Sequence, residues 1–264
     1  MMTVLSFFKK YWLQLALWLI IFLPVFSFIL VSVVLLVFMY WPQKFEAIDF
    51  TQFSTDQSRL VLLAHGVKDN TESWVDPLKK TYQQHDYPGQ IMALDWSSYA
   101  QNPLRCAIEA KRIGHLVGKQ IVQSKNLVSA HLIAHSCGAF IIYAACEAIK
   151  ANNSEVVVHT TYLDPLSIYG IDSNYGLRHF GSCADYSDAY IDTEDGVTGS
   201  NVLIPNTHTY DVTAIRLRTN HSSRPHNWPT LYFQQLVADG VAPDYFSDRR
   251  LKERSPAGVL EVLD

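Results

Sequence analysis

The sequence predicts an α/β fold, a mostly parallel sheet with helices on both faces, preceded by one N-terminal transmembrane helix. Two observations predict it. No charged side chain occurs between Lys10 and Lys44, and nearly every residue from Tyr11 to Trp41 is apolar. After residue 58, short apolar runs alternate with helix-like segments, a pattern that buries a parallel sheet between helical layers.

The anchor comes first. As one helix, residues 11–41 would span about 46 Å, against a hydrocarbon core of about 30 Å. That is too long for one upright crossing and too short for two. A single tilted helix, bent at Pro24, fits. Trp12, Tyr40 and Trp41 stand near its ends, where aromatic residues favour the membrane interface. A cleavable signal peptide is the competing reading, but it needs an apolar run of about 7–15 residues and a small-residue cleavage site. Lys9, Lys10 and the amino terminus precede the span; Lys44, Glu46 and Asp49 follow it. The positive-inside rule therefore places residues 1–10 in the cytoplasm and residues 42–264 outside. The net charge of −4 offers no basic excess for nucleic acid.

Residues 42–58 read as a polar linker, and residues 59–264 as one α/β domain. Strands are expected at 60–64, 90–94, 128–134, 156–163 and 212–217. Helices are expected from about 71 to 84, 103 to 123, 137 to 150 and 229 to 238, the last opening at Pro229, which suits a first helical position. Between 166 and 208 the alternation breaks. Glycines, Asp, Ser and Asn are interleaved with Tyr169, Tyr175, Tyr186 and Tyr190, which reads as an ordered flap rather than a structureless loop. Of the four cysteines, Cys137 and Cys146 on one helix would lie about 13 Å apart along its axis and cannot pair. A Cys106–Cys183 pair stays open.

Ala134-His135-Ser136-Cys137-Gly138 sits where the third strand meets its helix. It matches G-x-S-x-G with Ala in the first place, a tight turn that exposes the serine hydroxyl. Small residues flank the turn because a larger Cβ would collide inside it. The apolar run before it and the apolar helix after it make Ser136 the candidate nucleophile. A serine hydroxyl needs a base and an oriented third group to react near neutral pH.

With this elbow, four further segments resemble the lipase-like branch of the α/β-hydrolase superfamily. They are Ala64-His65-Gly66-Val67, Leu94-Asp95-Trp96-Ser97, Leu163-Asp164-Pro165 and a His-x-x-Pro-x-x-Tyr segment from His226 to Tyr232. The resemblance covers roughly residues 59–240. It implies a serine hydrolase with Asp164 as the acid, placed as in the pancreatic-lipase-like group, where the acid follows the strand after the elbow helix. Many other members carry the acid after a later strand; Asp185, Asp188 and Asp211 are the fallbacks. The order Ser…Asp…His requires a late base, and His226 is chosen over His221 and His208. His131 and His159 lie within strands, where a structural role is commoner. The backbone N–H groups of Val67 and Cys137 would form the oxyanion hole.

No cofactor or metal is expected. Asp192, Glu194 and Asp195 lack EF-hand spacing, and residues 249–254 read as a charged surface or tail. The reading is a membrane-anchored serine hydrolase acting on carboxylic, including lipid, esters. The alternatives are a catalytically silent binding module of the same fold and an acyltransferase.

Overall fold

The computed structural model describes residues 4–53, 56–240 and 256–264. The charged 249–254 stretch lies outside the described residues. The chain divides into two units, Met1–Pro42 and Gln43–Asp264. The first is one helix, α1 (Val4–Tyr40), with Pro24 inside it. Its segment Gln14–Tyr40 is 27 residues long and none of it is buried. By length and composition this helix could be a membrane span or a signal sequence.

The second unit is built on seven parallel strands: β1 (Arg59–Ala64), β2 (Gln90–Leu94), β3 (Ser129–His135), β4 (Val157–Leu163), β5 (Tyr186–Ile191), β6 (His208–Asp211) and β7 (Val259–Val262). Their order is β2-β1-β3-β4-β5-β6-β7. The order reverses between β1 and β3, and in open parallel sheets the crevice at such a reversal, beyond the strands' carboxyl ends, is where ligands bind.

The alternation of side chains along the strands divides the core. Leu60, Leu62, Ala64, Leu132 and Ala134 pack toward α3 (Cys106–Ile121) and α4 (Ala139–Asn152). Val61, Leu63 and Ile133 pack on the other side with α2 (Val75–Gln84) and α7 (Trp228–Ala238). Because both faces are covered, β1 is apolar after Arg59, and β3 is buried along its whole length, Ser129, His131 and His135 included. Helices α3 and α4 approach so closely that a Cβ on Gly114 would lie 2.1 Å from the Ile141 carbonyl oxygen. Only glycine leaves room there.

Several expectations are corrected. Residues 212–217 are not a strand; Val212 stands at the N-cap and 213–217 fall in α6 (Thr213–Arg218). Asp211 Oδ1 accepts the Thr213 N–H at 3.0 Å and the Thr213 hydroxyl at 2.5 Å, satisfying a donor that a helix start leaves open. The fifth strand is β5, inside the segment read as a flap. Its Ser187 and Asp188 are buried but bonded: Ser187 pairs with Thr160 at 2.8 Å, and Asp188 Oδ1 accepts the Thr161 hydroxyl at 2.6 Å. A short helix, α5 (Tyr175–His179), precedes it. Residues 43–53 are no free linker. Phe53 is fully buried, Ile48 nearly so, Arg112 donates to the Gln43 carbonyl at 2.9 Å, and Tyr99 Oη accepts the Ala47 N–H at 3.1 Å.

The disulfides are Cys106–Cys137 and Cys146–Cys183, so the Cys106–Cys183 pairing does not occur. The first ties the start of α3 to the turn before α4, closing a separation of 31 residues. By loop-closure entropy such a cross-link is worth about 3–4 kcal/mol. Cys106→Ala with Cys137→Ala is therefore expected to lower unfolding free energy by about that amount in urea titration. An unchanged midpoint would show that the bridge contributes nothing.

Candidate active site

The turn between β3 and α4 holds Ser136 at φ +53 and 4 % exposed. A left-handed backbone is costly for any residue with a Cβ, and here it is fixed from both sides. The Leu166 N–H donates to the Ser136 carbonyl at 3.1 Å. A Cβ on Gly66 would lie 2.9 Å from Ser136 Cβ, and one on Gly138 would lie 2.5 Å from the His65 carbonyl oxygen. The loop after β1 and the elbow thus touch backbone to backbone, and Ala suffices at 134 because the tight positions are 66 and 138.

His65 locks that loop. Its Nε2 accepts the Trp96 N–H at 3.3 Å, its Nδ1 donates to the Gly66 carbonyl at 2.9 Å, and the Trp96 indole N–H returns to the His65 carbonyl at 3.0 Å. Burial lowers the pKa of His65 and keeps the ring neutral, consistent with this one-donor, one-acceptor pattern.

His226 lies in the 3-10 turn Pro225–Asn227 that leads into α7. His135 Nε2 donates to the His226 carbonyl at 2.8 Å, which pins the turn against the elbow. Burial, with the nearby His226, pushes His135 down to about 3. His135 is therefore a neutral strut, a role that sequence reasoning missed. His226 Nδ1 is 2.8 Å from Asp195 Oδ2 and 3.9 Å from Asp164 Oδ2. The ring's hydrogen-bond partner is therefore Asp195, not the Asp164 chosen from the sequence.

The two acids differ in kind. Asp164 is fully buried at the end of β4, with φ +40. Its Oδ1 accepts the Asp192 N–H at 2.9 Å, and its Oδ2 has no hydrogen-bond partner among the described residues. Burial raises its pKa well above the ordinary carboxylate value, reinforced by Asp195, Asp192 and Asp211 nearby. For Asp195, burial pushes upward too, but hydrogen bonds from His226 and Ser200 outweigh it and leave the pKa lowered. Asp195 is the carboxylate; Asp164 favours the neutral acid. Asp195 rides on the loop after β5, held by Arg216, whose Nε meets Asp192 Oδ2 at 2.5 Å and whose Nη2 meets Glu194 Oε2 at 2.5 Å. Asn201 also donates to the Asp195 carbonyl at 2.9 Å.

Ser136, His135 and His226 line one cavity of about 450 Å³, together with Val67. No hydrogen bond joins Ser136 Oγ to His226 among the described residues. Of the oxyanion candidates, Val67 borders the cavity, and Cys137 follows Ser136 with its side chain in the disulfide. That bond removes Cys137 as a thiol. His221 bonds Ser223, and His208 lies between the Pro256 carbonyl and Glu261. Asp185 pairs with Lys150 and Asp211 with Thr213. Ligand atoms of Asp164, Asp195 and His226 lie within 4.8 Å of one another. A tetrahedral ion with ligands at about 2.1 Å would hold its donors about 3.4 Å apart, so the 2.8 Å Nδ1–Oδ2 pair suits a shared proton better.

A second polar cluster lies inside the sheet. His131 stacks on its register partner His159 at 3.8 Å, and His159 reaches Asp188 at 3.1 Å. Burial lowers the pKa of both imidazoles well below the usual value and raises Asp188 to about 6. Below pH about 6.5 the unfolded chain gains protons on His65, His131, His135 and His159 that the native state refuses. Asp164 and Asp188 act oppositely, but they are two groups against four. Stability is expected to fall with pH, the urea midpoint being lower at pH 5.5 than at 7.5. A higher midpoint at pH 5.5 would contradict these native protonation states.

No family model matches the chain, and no curated protein matches it. Among the solved structures similar to it are two candidate hydrolases. One is a candidate hydrolase of the alpha/beta superfamily from Xanthomonas campestris pv. campestris, at 11 % identity and TM-score 0.43, covering 69 % of this chain and 97 % of that one. The other is a candidate cell surface hydrolase from Lactobacillus plantarum WCFS1, at 10 % identity and TM-score 0.48, covering 76 % and 97 %.

Proposed function

We propose that this chain is a membrane-anchored serine hydrolase that cleaves carboxylic esters, with Ser136 as nucleophile, His226 as base and Asp195 as the orienting acid. The observation that carries the reading is the 2.8 Å bond between His226 Nδ1 and the Asp195 carboxylate beside the strained serine turn. A carboxylate can only accept, so Nδ1 carries the proton and Nε2 keeps its lone pair. Nε2 would take the Ser136 proton as Oγ attacks the acyl carbon. The N–H groups of Val67 and Cys137 would receive the charge that builds on the carbonyl oxygen. His226 would then return the proton to the departing alcohol, and water, activated the same way, would release the acyl group. Asp164 sits behind Asp195 as a neutral neighbour.

The anchor and sidedness belong to the same proposal. α1 would cross the membrane with residues 1–10 in the cytoplasm and the α/β unit outside. All four cysteines are paired, which supports an oxidising compartment for that unit. The deciding experiment uses the full chain in non-ionic detergent, labelled with a fluorophosphonate probe. Wild type is expected to be labelled and Ser136→Ala not. A folded wild type that fails to label, and hydrolyses no p-nitrophenyl ester, would leave the silent binding module as the reading.

A further inference from the structure

Resting on the hydrolase reading, we propose that the cavity selects a small ester bearing an anionic group, carboxylate or phosphate, held by Lys68 and Arg224. Pockets for apolar ligands are lined mainly by apolar side chains. Around Ser136 the wall instead includes Lys68, Asp69, Ser73, Ser223, Arg224 and Asn227, with apolar surface from Val67, Trp74 and Leu231. A long acyl chain would leave these groups desolvated and unpaired. A volume of about 450 Å³ accommodates a compact acyl group together with its anionic end.

The two cations stand on the two loops that build the site. Lys68 follows Val67, and Arg224 immediately precedes the Pro225–Asn227 turn that carries His226. Neither forms an ion pair among the described residues, whereas Arg105, Arg112, Arg178 and Arg216 all do. Asp69 is the acid on the same wall, and its carboxylate already accepts the Asn70 N–H at 2.9 Å.

Lys68 also bears a conformational cost. It is held at φ +54, with its N–H donating to the Ala100 carbonyl at 2.9 Å. Glycine would occupy that conformation without strain. A lysine kept where glycine fits better points to a use for its side chain.

The test compares kcat/KM of the full chain in non-ionic detergent for two 4-methylumbelliferyl esters, the hydrogen adipate and the neutral heptanoate. Wild type should favour the adipate by about tenfold or more at 20 mM salt, and the preference should shrink at 0.5 M as exposed charges are screened. Lys68→Gly and Arg224→Met should each bring the ratio toward one, and Lys68→Glu should invert it. Free adipate and inorganic phosphate as competitors of heptanoate hydrolysis would separate carboxylate from phosphate as the preferred anion. A heptanoate-hydrolysing wild type without anionic preference overturns the proposal and leaves the hydrolase reading standing. A preference that survives all three substitutions overturns the assignment to Lys68 and Arg224. If neither ester is cleaved and the fluorophosphonate does not label Ser136, both readings fail together.

Discussion

Ser136→Ala is expected to lower kcat by about 10⁴–10⁶-fold, and adding His226→Ala to that variant should cost almost nothing more. Nucleophile and base act as one unit, so removing either removes the same step, and the residual rate comes from binding and the oxyanion donors. The substitution is well suited to the site, because alanine carries the same Cβ into the φ +53 turn and meets the same Gly66 backbone. The unfolding free energy from urea titration should therefore stay within about 0.5 kcal/mol of wild type while activity disappears. Additive losses in the double variant would mean that Ser136 and His226 do not share a step. Retention of more than a few per cent of activity in Ser136→Ala would place the nucleophile elsewhere.

The elements that were legible in the sequence are those whose side chains are simple. The runs at 60–64, 90–94 and 128–134 are mainly apolar because their inward positions pack against helices, although β2 is only partly buried and Ser129 and His131 interrupt the third run. The elbow was legible because steric demand restricts which residues can flank Ser136. His226 was reached through chain order and its place before Pro229. What stayed hidden has a common physical cause. β5 buries Ser187 and Asp188 among Thr160, Thr161 and His159, so its core positions look like loop positions. Reading that stretch as a flap removed a strand, and with it the strand end after which an acid could follow. Asp195, four residues beyond Ile191, was weighed only as a calcium ligand. The signal available was the period-two placing of Tyr186 and Tyr190 on one face and Ser187, Ala189 and Ile191 on the other, followed by an acidic loop. α6 misled for the converse reason: Val212, Thr213 and Ile215 favour strands in isolation, but Asp211 caps a helix there. The Cys106–Cys137 bridge depends on how α3 lies along α4, and Cys146–Cys183 on how the segment after α5 meets α4, neither of which spacing alone encodes.

The division of labour between the two buried acids gives the second large effect. Asp195→Asn is expected to reduce kcat by about 10⁴-fold, because an amide can donate to Nδ1 and so favours the tautomer whose Nε2 carries the proton. The heavy-atom positions would barely change, so KM should move far less than kcat. Asp164→Asn should cost less than about tenfold. Its role is to accept the Asp192 N–H through Oδ1, which an amide oxygen performs equally well, and its other oxygen, 3.9 Å from His226 Nδ1, makes no hydrogen bond among the described residues. Because burial and the carboxylates of Asp195, Asp192 and Asp211 already hold Asp164 toward its neutral form, the substitution removes little charge. The acidic limb of the kcat profile should therefore stay close to its wild-type position in Asp164→Asn. The reverse pattern, a collapse in Asp164→Asn with Asp195→Asn near wild type, would restore the acid at the end of β4 and make the 2.8 Å contact a resting arrangement that substrate displaces.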